Sequence, residues 1–275
     1  MSRLVKYEFA LQEPALGLAQ VFIALGKLPR GKLDVVSHFG QSQLRWRGPD
    51  ALGIAEQSVF LGLLAIAAQQ KFRLDASNPA TREGARLVAK LGFEGTPEVT
   101  ELFVLRATWS EIAIAAGYGS VGGKNRKDVQ MAVRRFAETT IWERRGNKEY
   151  ACRILSWLVG DDDSVVIALN PRATSALLGL QYCHISMVER GDICGEPGKA
   201  LHAWLCANLR AGRMRPYAID GLQVHVWGST CTGTTLRNRR SRLVKALQQI
   251  GKLDKWRCEF IEDGMVEIER IGGAK

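Results

Sequence analysis

Residues 108–139 decide the fold, and they read TWSEIAIAAGYGSVGGKNRKDVQMAVRRFAET. The first four residues form a capping box, because the Thr108 hydroxyl can accept from an amide one turn on while Glu111 reaches back. The short helix that follows ends at Gly117, and a glycine-rich turn leads into a longer helix over about residues 125–139. Its apolar residues share one face: Val129, Val133 and Phe136. A short helix, a turn and a longer helix are typical of a helix-turn-helix.

Two β segments follow this pattern, at residues 141–145 and 150–159, joined by the turn pair Gly146–Asn147. A hairpin placed directly after a helix-turn-helix is a wing. Residues 165–169 complete a third strand, so the stretch predicts a winged helix. Upstream, residues 33–47 predict a hairpin, residues 53–70 predict an apolar core helix, and residues 78–97 predict a connection that contains a short helix.

The second half repeats this order of elements after Asn170–Pro171. The pattern predicts an amphipathic helix at residues 198–210 and a short helix at 219–227. A turn rich in Gly, Ser and Thr follows at 228–233, then a long helix at 235–250 and a hairpin at 256–271. Thr234 is a favourable N-cap for the long helix. The sequence therefore predicts an α+β protein of two tandem winged-helix domains, residues 1–170 and 171–275.

The charge balance points to a polyanionic partner. The chain of 275 residues has 38 Lys and Arg against 28 Asp and Glu, a formal net charge of +10. A surplus of this size favours nucleic acid first and an anionic membrane second. A merely basic protein is the plain alternative. We expect a cytoplasmic location, since residues 1–14 lack a signal pattern and the apolar run near residues 59–68 is too short to span a bilayer.

The predicted helix at residues 235–250 has an apolar stripe of Leu236, Leu243, Leu247 and Ile250, and a dense cluster of basic residues on the opposite side. Arg and Asn are the side chains that read guanine and adenine edges in the major groove. A solvated face normally mixes charge signs, yet no acid occurs from Gly228 until Asp254, which favours DNA contact over a solvated surface. The candidate DNA-binding residues here are Thr235, Arg237, Asn238, Arg239, Arg240, Ser241, Arg242 and Lys245.

The corresponding helix of the first unit is more sparsely charged, and the predicted wing behind it is basic. Its cations suit backbone phosphates, which position a protein without reading sequence. The second hairpin is predicted to turn at Asp263–Gly264. Its tip carries the acidic pair Glu262–Asp263, so the two units should use their wings unequally. The candidate residues of the first unit are Lys124, Lys127, Gln130, Arg134, Arg144, Arg145 and Lys148.

Several enzymatic and cofactor-binding classes are disfavoured. The segment at residues 118–125 fails the phosphate-loop pattern, because its first position is Tyr118 and Asn125 follows the lysine. The four histidines are scattered, so a histidine-clustered nicking site is absent. The six cysteines lack zinc spacing and are interpreted as reduced thiols, buried as small apolar residues. Asp161–Asp163 are more often a solvated turn than a metal site. Most tryptophans, Trp142, Trp157, Trp204 and Trp227 among them, are interpreted as core. We expect no cofactor, no metal and no catalytic activity.

A family resemblance emerges from the second half. Residues 233–247, GTTLRNRRSRLVKAL, resemble the recognition helix of RepC-type initiators of IncQ-family plasmids. The residues before Lys32 show no resemblance. Further similar segments occur in order along the rest of the chain, at residues 32–35, 48–49, 52–53, 168–171, 184–187, 201–206 and 219–227.

The resemblance implies a fold and a function. Such initiators are two tandem winged helices that bind direct repeats (iterons) at a plasmid origin, help open an adjacent AT-rich region and admit a plasmid-encoded helicase. It implies double-stranded iteron DNA, that helicase, a primase and further copies of the chain as partners, with no membrane. The alternatives are a two-unit winged-helix transcriptional regulator and, from another class, a DNA-nicking or nucleotide-hydrolysing replication enzyme.

Overall fold

The computed structural model describes residues 7–26, 29–75, 77–91, 101–160 and 164–272, which form a mixed α+β fold. Asp161–Asp163 lie outside the described residues. The strands are β1 (Phe9–Gln12), β2 (Phe22–Ile23), β3 (Leu33–Phe39), β4 (Ser42–Gly48), β5 (Leu52–Gly53), β6 (Arg73–Asp75), β7 (Glu101–Thr108), β8 (Thr140–Arg145), β9 (Lys148–Arg153), β10 (Leu155–Val159), β11 (Ser164–Leu169), β12 (Cys183–Ser186), β13 (Arg213–Ala218), β14 (Trp256–Ile261) and β15 (Met265–Arg270). The helices are α1 (Pro14–Leu18), α2 (Ile54–Gln70), α3 (Arg82–Leu91), α4 (Trp109–Ala115), α5 (Gly123–Glu138), α6 (Pro171–Leu177), α7 (Met187–Asp192), α8 (Glu196–Asn208), α9 (Gln223–Trp227) and α10 (Gly233–Ile250).

One order of elements occurs twice. A helix, α2 or α8, is followed by a strand, β7 or β13, a short helix, α4 or α9, a long helix, α5 or α10, and a hairpin, β10–β11 or β14–β15. In both sheets the second strand of the hairpin lies between its first strand and the strand before the short helix, giving β10-β11-β7 and β14-β15-β13. A repetition is therefore present, but with a different hairpin from the one predicted: β8–β9, the predicted wing of the first half, is inserted between α5 and β10–β11.

The two strands that precede the short helices, β7 and β13, were not predicted from the sequence. Strand β7 is a nearly continuous apolar run, which periodicity cannot distinguish from a buried helix. Strand β13 contains Pro216 and three exposed arginine and methionine side chains, so it lacks an apolar alternation. An edge strand tolerates proline, and β13 lies at an edge of its sheet.

The predicted single strand at residues 150–159 is wrong. The chain changes sheets at Ile154, whose amide donates to the Thr139 carbonyl (3.0 Å) and whose carbonyl accepts from Asn170 (3.3 Å). As a result β9 pairs with β8, whereas β10 pairs with β11. The β8–β9 hairpin joins the predicted upstream hairpin in a second sheet of order β3-β4-β8-β9. A change of partner within one extended run leaves no mark in a local pattern.

A continuous apolar core runs through both halves. Helix α2 is buried over nearly all its length, and its Phe60 ring lies 6.1 Å from Phe22 and 5.6 Å from Phe136. Strand β1 pairs with β12, and α1 packs on α8, so the amino-terminal segment lies against the second half. The buried Arg190 guanidinium donates to Gln57 and Ser58 of α2 and fixes α7 against it.

A buried ionic network ties three further segments together. Arg172 of α6 pairs with Glu13, 2.5 Å away, and with Glu143 of β8. The Ser42 hydroxyl (2.6 Å) and the Tyr150 hydroxyl also donate to Glu143. Burial opposes the charged form of Glu143, but the Ser42, Tyr150 and Arg172 donors outweigh it and lower its pKa. The single Arg172 guanidinium therefore neutralises two buried carboxylates, those of Glu13 and Glu143.

The buried His202 gives stability a defined pH dependence. Burial alone would lower its pKa, but Cys206 and Glu189, whose Oε2 lies 2.9 Å from Nε2, outweigh it and raise the pKa to about 9 from 6.5. Because the pKa of His202 is higher in the folded than in the unfolded state, its protonation stabilises the folded protein. This stabilisation is complete below about pH 6.5 and is lost as the pH rises through about 9.

Between about pH 6.5 and pH 9, we expect the free energy of unfolding of the parent protein to fall more steeply than that of His202→Gln, as measured by urea titrations. His225→Gln is the matched control, because the folded pKa of His225 is lowered to about 4 by burial, below the same interval. Equal slopes for the parent and His202→Gln would contradict the assignment.

No helix among the described residues is long and apolar enough to cross a membrane.

Candidate nucleic-acid interface

Helix α10 presents one polar, basic face to solvent. Its apolar face, Leu243, Ala246, Leu247 and Ile250, is buried in the core that includes α8. Sequence analysis predicted Leu236 in that stripe, but it is only half-buried because it lies in the first turn, outside the packed segment. The helix has no acidic residue in its first turn. The exposed residues of the predicted set are Thr235, Arg237, Asn238, Arg240, Ser241, Arg242 and Lys245.

Three arginines of α10 are held by neighbours within the unit. Arg239 donates to the Ser229 carbonyl (2.8 Å), and its guanidinium lies 4.9 Å from the centre of the Trp227 ring. Arg242 approaches the same ring at 5.5 Å, and Arg240 pairs with Asp220 at 3.0 Å. Such contacts restrict the orientation of a long side chain. Within the described part of the chain, Arg237, Asn238, Ser241 and Lys245 have no such side-chain restraint, which leaves them available to a ligand.

The predicted N-cap of α10 is wrong. The helix begins at Gly233, two residues earlier than expected, with Thr232 as N-cap and no side-chain capping bond. Gly233 has a φ of 63°, which a residue with a side chain rarely adopts. Helix α5 likewise begins without a side-chain cap, after Gly122, and without an acid in its first turn. Helix α4, in contrast, has the predicted capping box of Thr108 and Glu111.

The uncapped ends matter electrostatically. The first amides of a helix point outward and carry partial positive charge, which attracts anions. In α5 the first turn contains Lys124 and is followed by Lys127, and in α10 the first turn is followed by Arg237. Cations at this end of a helix are unfavourable in the free protein. The two long helices therefore both concentrate positive potential at their starts.

Helix α5 carries a sparser exposed set. Lys124, Lys127 and Arg134 are exposed, while Gln130 is half-buried. Arg135 is not part of this surface, because its guanidinium pairs with Asp50 (3.0 Å) and Glu56 (2.9 Å) beside α2.

The predicted wing cations lie at the tip of the β8–β9 hairpin. Arg145 and Lys148 face each other across its turn, and Arg144 pairs with Glu149 at 3.2 Å. All three are exposed. Their hairpin belongs to the β3-β4-β8-β9 sheet, whereas the hairpin in the position of β14–β15 is β10–β11.

Sequence analysis placed Trp142 in the core, and this is wrong. Its side chain is 43% exposed on the outer face of β8, between the buried Ile141 and Glu143. Strict alternation in this strand could have revealed it. Trp204 and Trp227 are buried, as predicted, and Trp157 is partly buried. Among the cysteines, Cys194 is exposed, contrary to the interpretation of all six as buried thiols.

No group of three or more His, Cys, Asp or Glu side chains within the described ranges is arranged to hold a metal ion.

Comparison with known proteins identifies the family. The family model for Replication protein C (RepC) matches residues 8–271. The chain belongs to the RepC family. The match extends to the residues before Lys32, where the sequence alone showed no resemblance. No curated protein sequence matches the chain.

The fold of this RepC-family chain also occurs in solved structures of RctB. A crystal structure of a selenomethionine derivative of RctB domains 2 and 3 is 11% identical, with a TM-score of 0.54, covering 90% of this chain and 94% of that chain. A second structure of RctB domains 2–3 is 9% identical, with a TM-score of 0.55 and coverages of 94% and 96%. At this identity the likeness concerns the fold alone.

Proposed function

We propose that this RepC-family protein is a plasmid replication initiator of the IncQ type, which binds direct repeats at an origin through two tandem winged-helix domains. The observation that carries the proposal is the exposed face of α10, where Arg237, Asn238, Ser241 and Lys245 project from a packed helix without an acid. Membership of the RepC family supports the replication role.

The winged-helix assignment is supported by the duplicated topology. In each half the long helix after the turn, α5 or α10, is packed by its apolar face and exposed along its polar face. A recognition helix of this kind lies in the major groove with its amino-terminal residues at the base edges. The boundary proposed at Asn170–Pro171 coincides with the start of α6, where Asn170 caps the helix by accepting from the Ala173 amide.

The two units would have unequal roles. Helix α10 offers Arg237 and Asn238 for base readout, and its braced arginines, Arg239, Arg240 and Arg242, suit contacts of fixed geometry. Helix α5 and the β8–β9 tip offer a sparser set of exposed cations, which suit phosphates. Binding of several copies to adjacent repeats would supply the free energy that opens neighbouring AT-rich DNA, and a plasmid-encoded helicase with its primase would enter there. The protein would act in the bacterial cytoplasm.

Footprinting of the purified protein on the replicon that carries its gene tests the proposal. We expect protection of direct repeats beside an AT-rich segment. Protection of an inverted repeat over a promoter would instead favour the transcriptional regulator. Lys252→Ala serves as a matched control for α10 variants, since Lys252 is exposed just beyond the carboxyl end of the helix.

The proposal includes the absence of catalysis. We expect no ATP hydrolysis and no cleavage of supercoiled origin DNA with added divalent metal. Turnover that is abolished by changing Lys124 or Asp161–Asp163 would favour the enzymatic alternative.

The hairpin cations should contribute phosphate contacts without specificity. Replacing Arg144, Arg145 and Lys148 together by alanine should weaken cognate and random duplexes to a similar extent. The plot of log K against log salt has a slope of about −0.9 per phosphate contact. Each lost contact therefore makes the slope less steep by about 0.9, and a salt titration measures how many contacts are lost. A slope equal to that of the parent would remove this hairpin from the DNA.

A further inference from the structure

The outer face of the β3-β4-β8-β9 sheet is basic and apolar, and we term it the basic face. In register, Asp34, Arg47 and Arg153 lie in one row across the sheet, and Val36, Arg45 and Trp142 lie in the next. Val36 is 52% exposed, and Trp142 is the one tryptophan of seven that is exposed. This surface forms a shallow depression of about 340 Å³.

The charge of the basic face is positive even after internal pairing. Arg45 holds Asp34 through two hydrogen bonds of 2.7 Å, and the Arg47 Nε lies 3.8 Å from the same carboxylate. Arg144 and Glu149 also line the depression and pair with each other at 3.2 Å. The face thus has two acids, Asp34 and Glu149, against four arginines, Arg45, Arg47, Arg144 and Arg153. Trp and Arg are the side chains most enriched among the residues that dominate protein interfaces.

The outer face of the β13-β15-β14 sheet is acidic and apolar, and we term it the acidic face. Its residues point away from the buried side of the sheet, which Trp256, Val266 and Ile268 occupy. Apolar side chains are well exposed on it, Met214 at 55% and Ile261 at 49%. Its charged residues are Arg257, Glu259, Glu267 and Glu269.

Two glutamates of the acidic face lie directly opposite each other. Glu259 of β14 and Glu267 of β15 are register partners on neighbouring strands. Like charges in this arrangement destabilise a sheet, and the only arginine of this face pairs with Glu269, at 3.2 Å, not with them. DNA would be repelled here, although the whole chain carries a net charge of +10. A cationic partner would reduce the repulsion between Glu259 and Glu267.

We propose that the basic face of one copy docks on the acidic face of a second copy, head to tail. Arginines of the first copy would relieve the repulsion between Glu259 and Glu267, while Trp142 and Val36 would cover Met214 and Ile261. Within the described residues the two sheets do not pack against each other, so both faces are open in one chain. The proposal concerns self-association and rests on the proposed function only for its biological setting.

Geometry gives this contact a direction. Because the two faces are different surfaces, the interface is heterologous and repeats in one direction instead of closing as a symmetric dimer. Direct repeats require this arrangement, since they place successive copies in the same orientation. Each sheet face spans on the order of 300 Å², well below the ~800 Å² per partner of a stable interface. The contact should therefore be weak in solution and effective when DNA holds two copies adjacent.

Charge reversal in the absence of DNA tests the proposal. The basic-face variant is Arg47→Glu with Arg153→Glu, and the acidic-face variant is Glu259→Arg with Glu267→Arg, which keeps a like-charged cross-strand pair and hence a similar folding cost. Sedimentation velocity over a concentration series should show salt-sensitive self-association of the parent. Each variant alone should lose at least about tenfold in association constant. An equimolar mixture should regain association, because every contact then joins opposite charges.

Several outcomes would overturn the proposal. Parent protein that stays monomeric at high concentration and low salt, variants that associate like the parent, or a mixture that stays dissociated would each do so. If the basic-face variant instead loses affinity for a (dT)20 oligonucleotide and the mixture is not rescued, the face is a stacking platform for single strands. Trp142→Ser, checked for folding by circular dichroism, gives a second route to weakened association. Duplex binding by α10 is read separately, so failure of the proposed function would leave this result intact.

Discussion

Arg172→Met is expected to destabilise the protein by about 3–5 kcal/mol, the cost of removing one partner from a buried ionic network. The side chains of Glu13 and Glu143 are both largely buried and both pair with this guanidinium. Without it, two carboxylates remain in an apolar setting with only the hydroxyls of Ser42 and Tyr150 to stabilise Glu143. Urea unfolding at neutral pH measures the loss.

The control variant removes the charges of Glu13, Glu143 and Arg172 together. Glu13→Gln and Glu143→Gln in the Arg172→Met background should recover a large part of the lost stability, because no unpaired buried charge is left. Arg106→Met is a matched surface control, since Arg106 is exposed and its Glu83 partner lies 3.9 Å away. That change should cost about 0–1 kcal/mol. Similar losses for Arg172→Met and Arg106→Met would show that the network does not hold the segments together.

Arg237→Ala combined with Asn238→Ala is expected to cost about 2–5 kcal/mol in discrimination between cognate and random duplexes, since each base-reading pair contributes about 1–3 kcal/mol. Both side chains are exposed at the start of α10 and are not restrained by neighbours within the described residues. Fluorescence anisotropy with a footprinted repeat and a random duplex of equal length measures the difference.

The comparison with Lys252→Ala separates readout from general charge. That variant also removes a positive charge from the second unit and should leave the discrimination unchanged. If the double variant weakens both duplexes equally, Arg237 and Asn238 contact phosphates and other residues read the bases. Such a result would redirect attention to Arg240 and Arg242, which neighbouring residues hold in place.

Local patterns predicted much of the architecture. The capping box at Thr108 and Glu111, the apolar period of α5 and the Asp263–Gly264 turn each depend on residues close in sequence, and the structure confirms all three. The same locality explains why the exposed polar side of α10 could be recognised from the sequence. Charge, helical period and the absence of acids are properties of one segment, so they can be recognised without knowledge of the rest of the chain.

By itself the sequence determined the α+β class, the repeated order of elements and the family, because these depend on local period, turn chemistry and ordered motifs. Only the tertiary structure decided which strands pair: that β8–β9 joins β3–β4, and that β7 and β13 exist as strands at all. Strand pairing is set by hydrogen bonds and packing between distant segments, and these fall outside any local window. The same long-range pairing turned Trp142 outward and placed Glu259 opposite Glu267. Surfaces made by several strands, unlike the face of one helix, come into being only when the chain has folded.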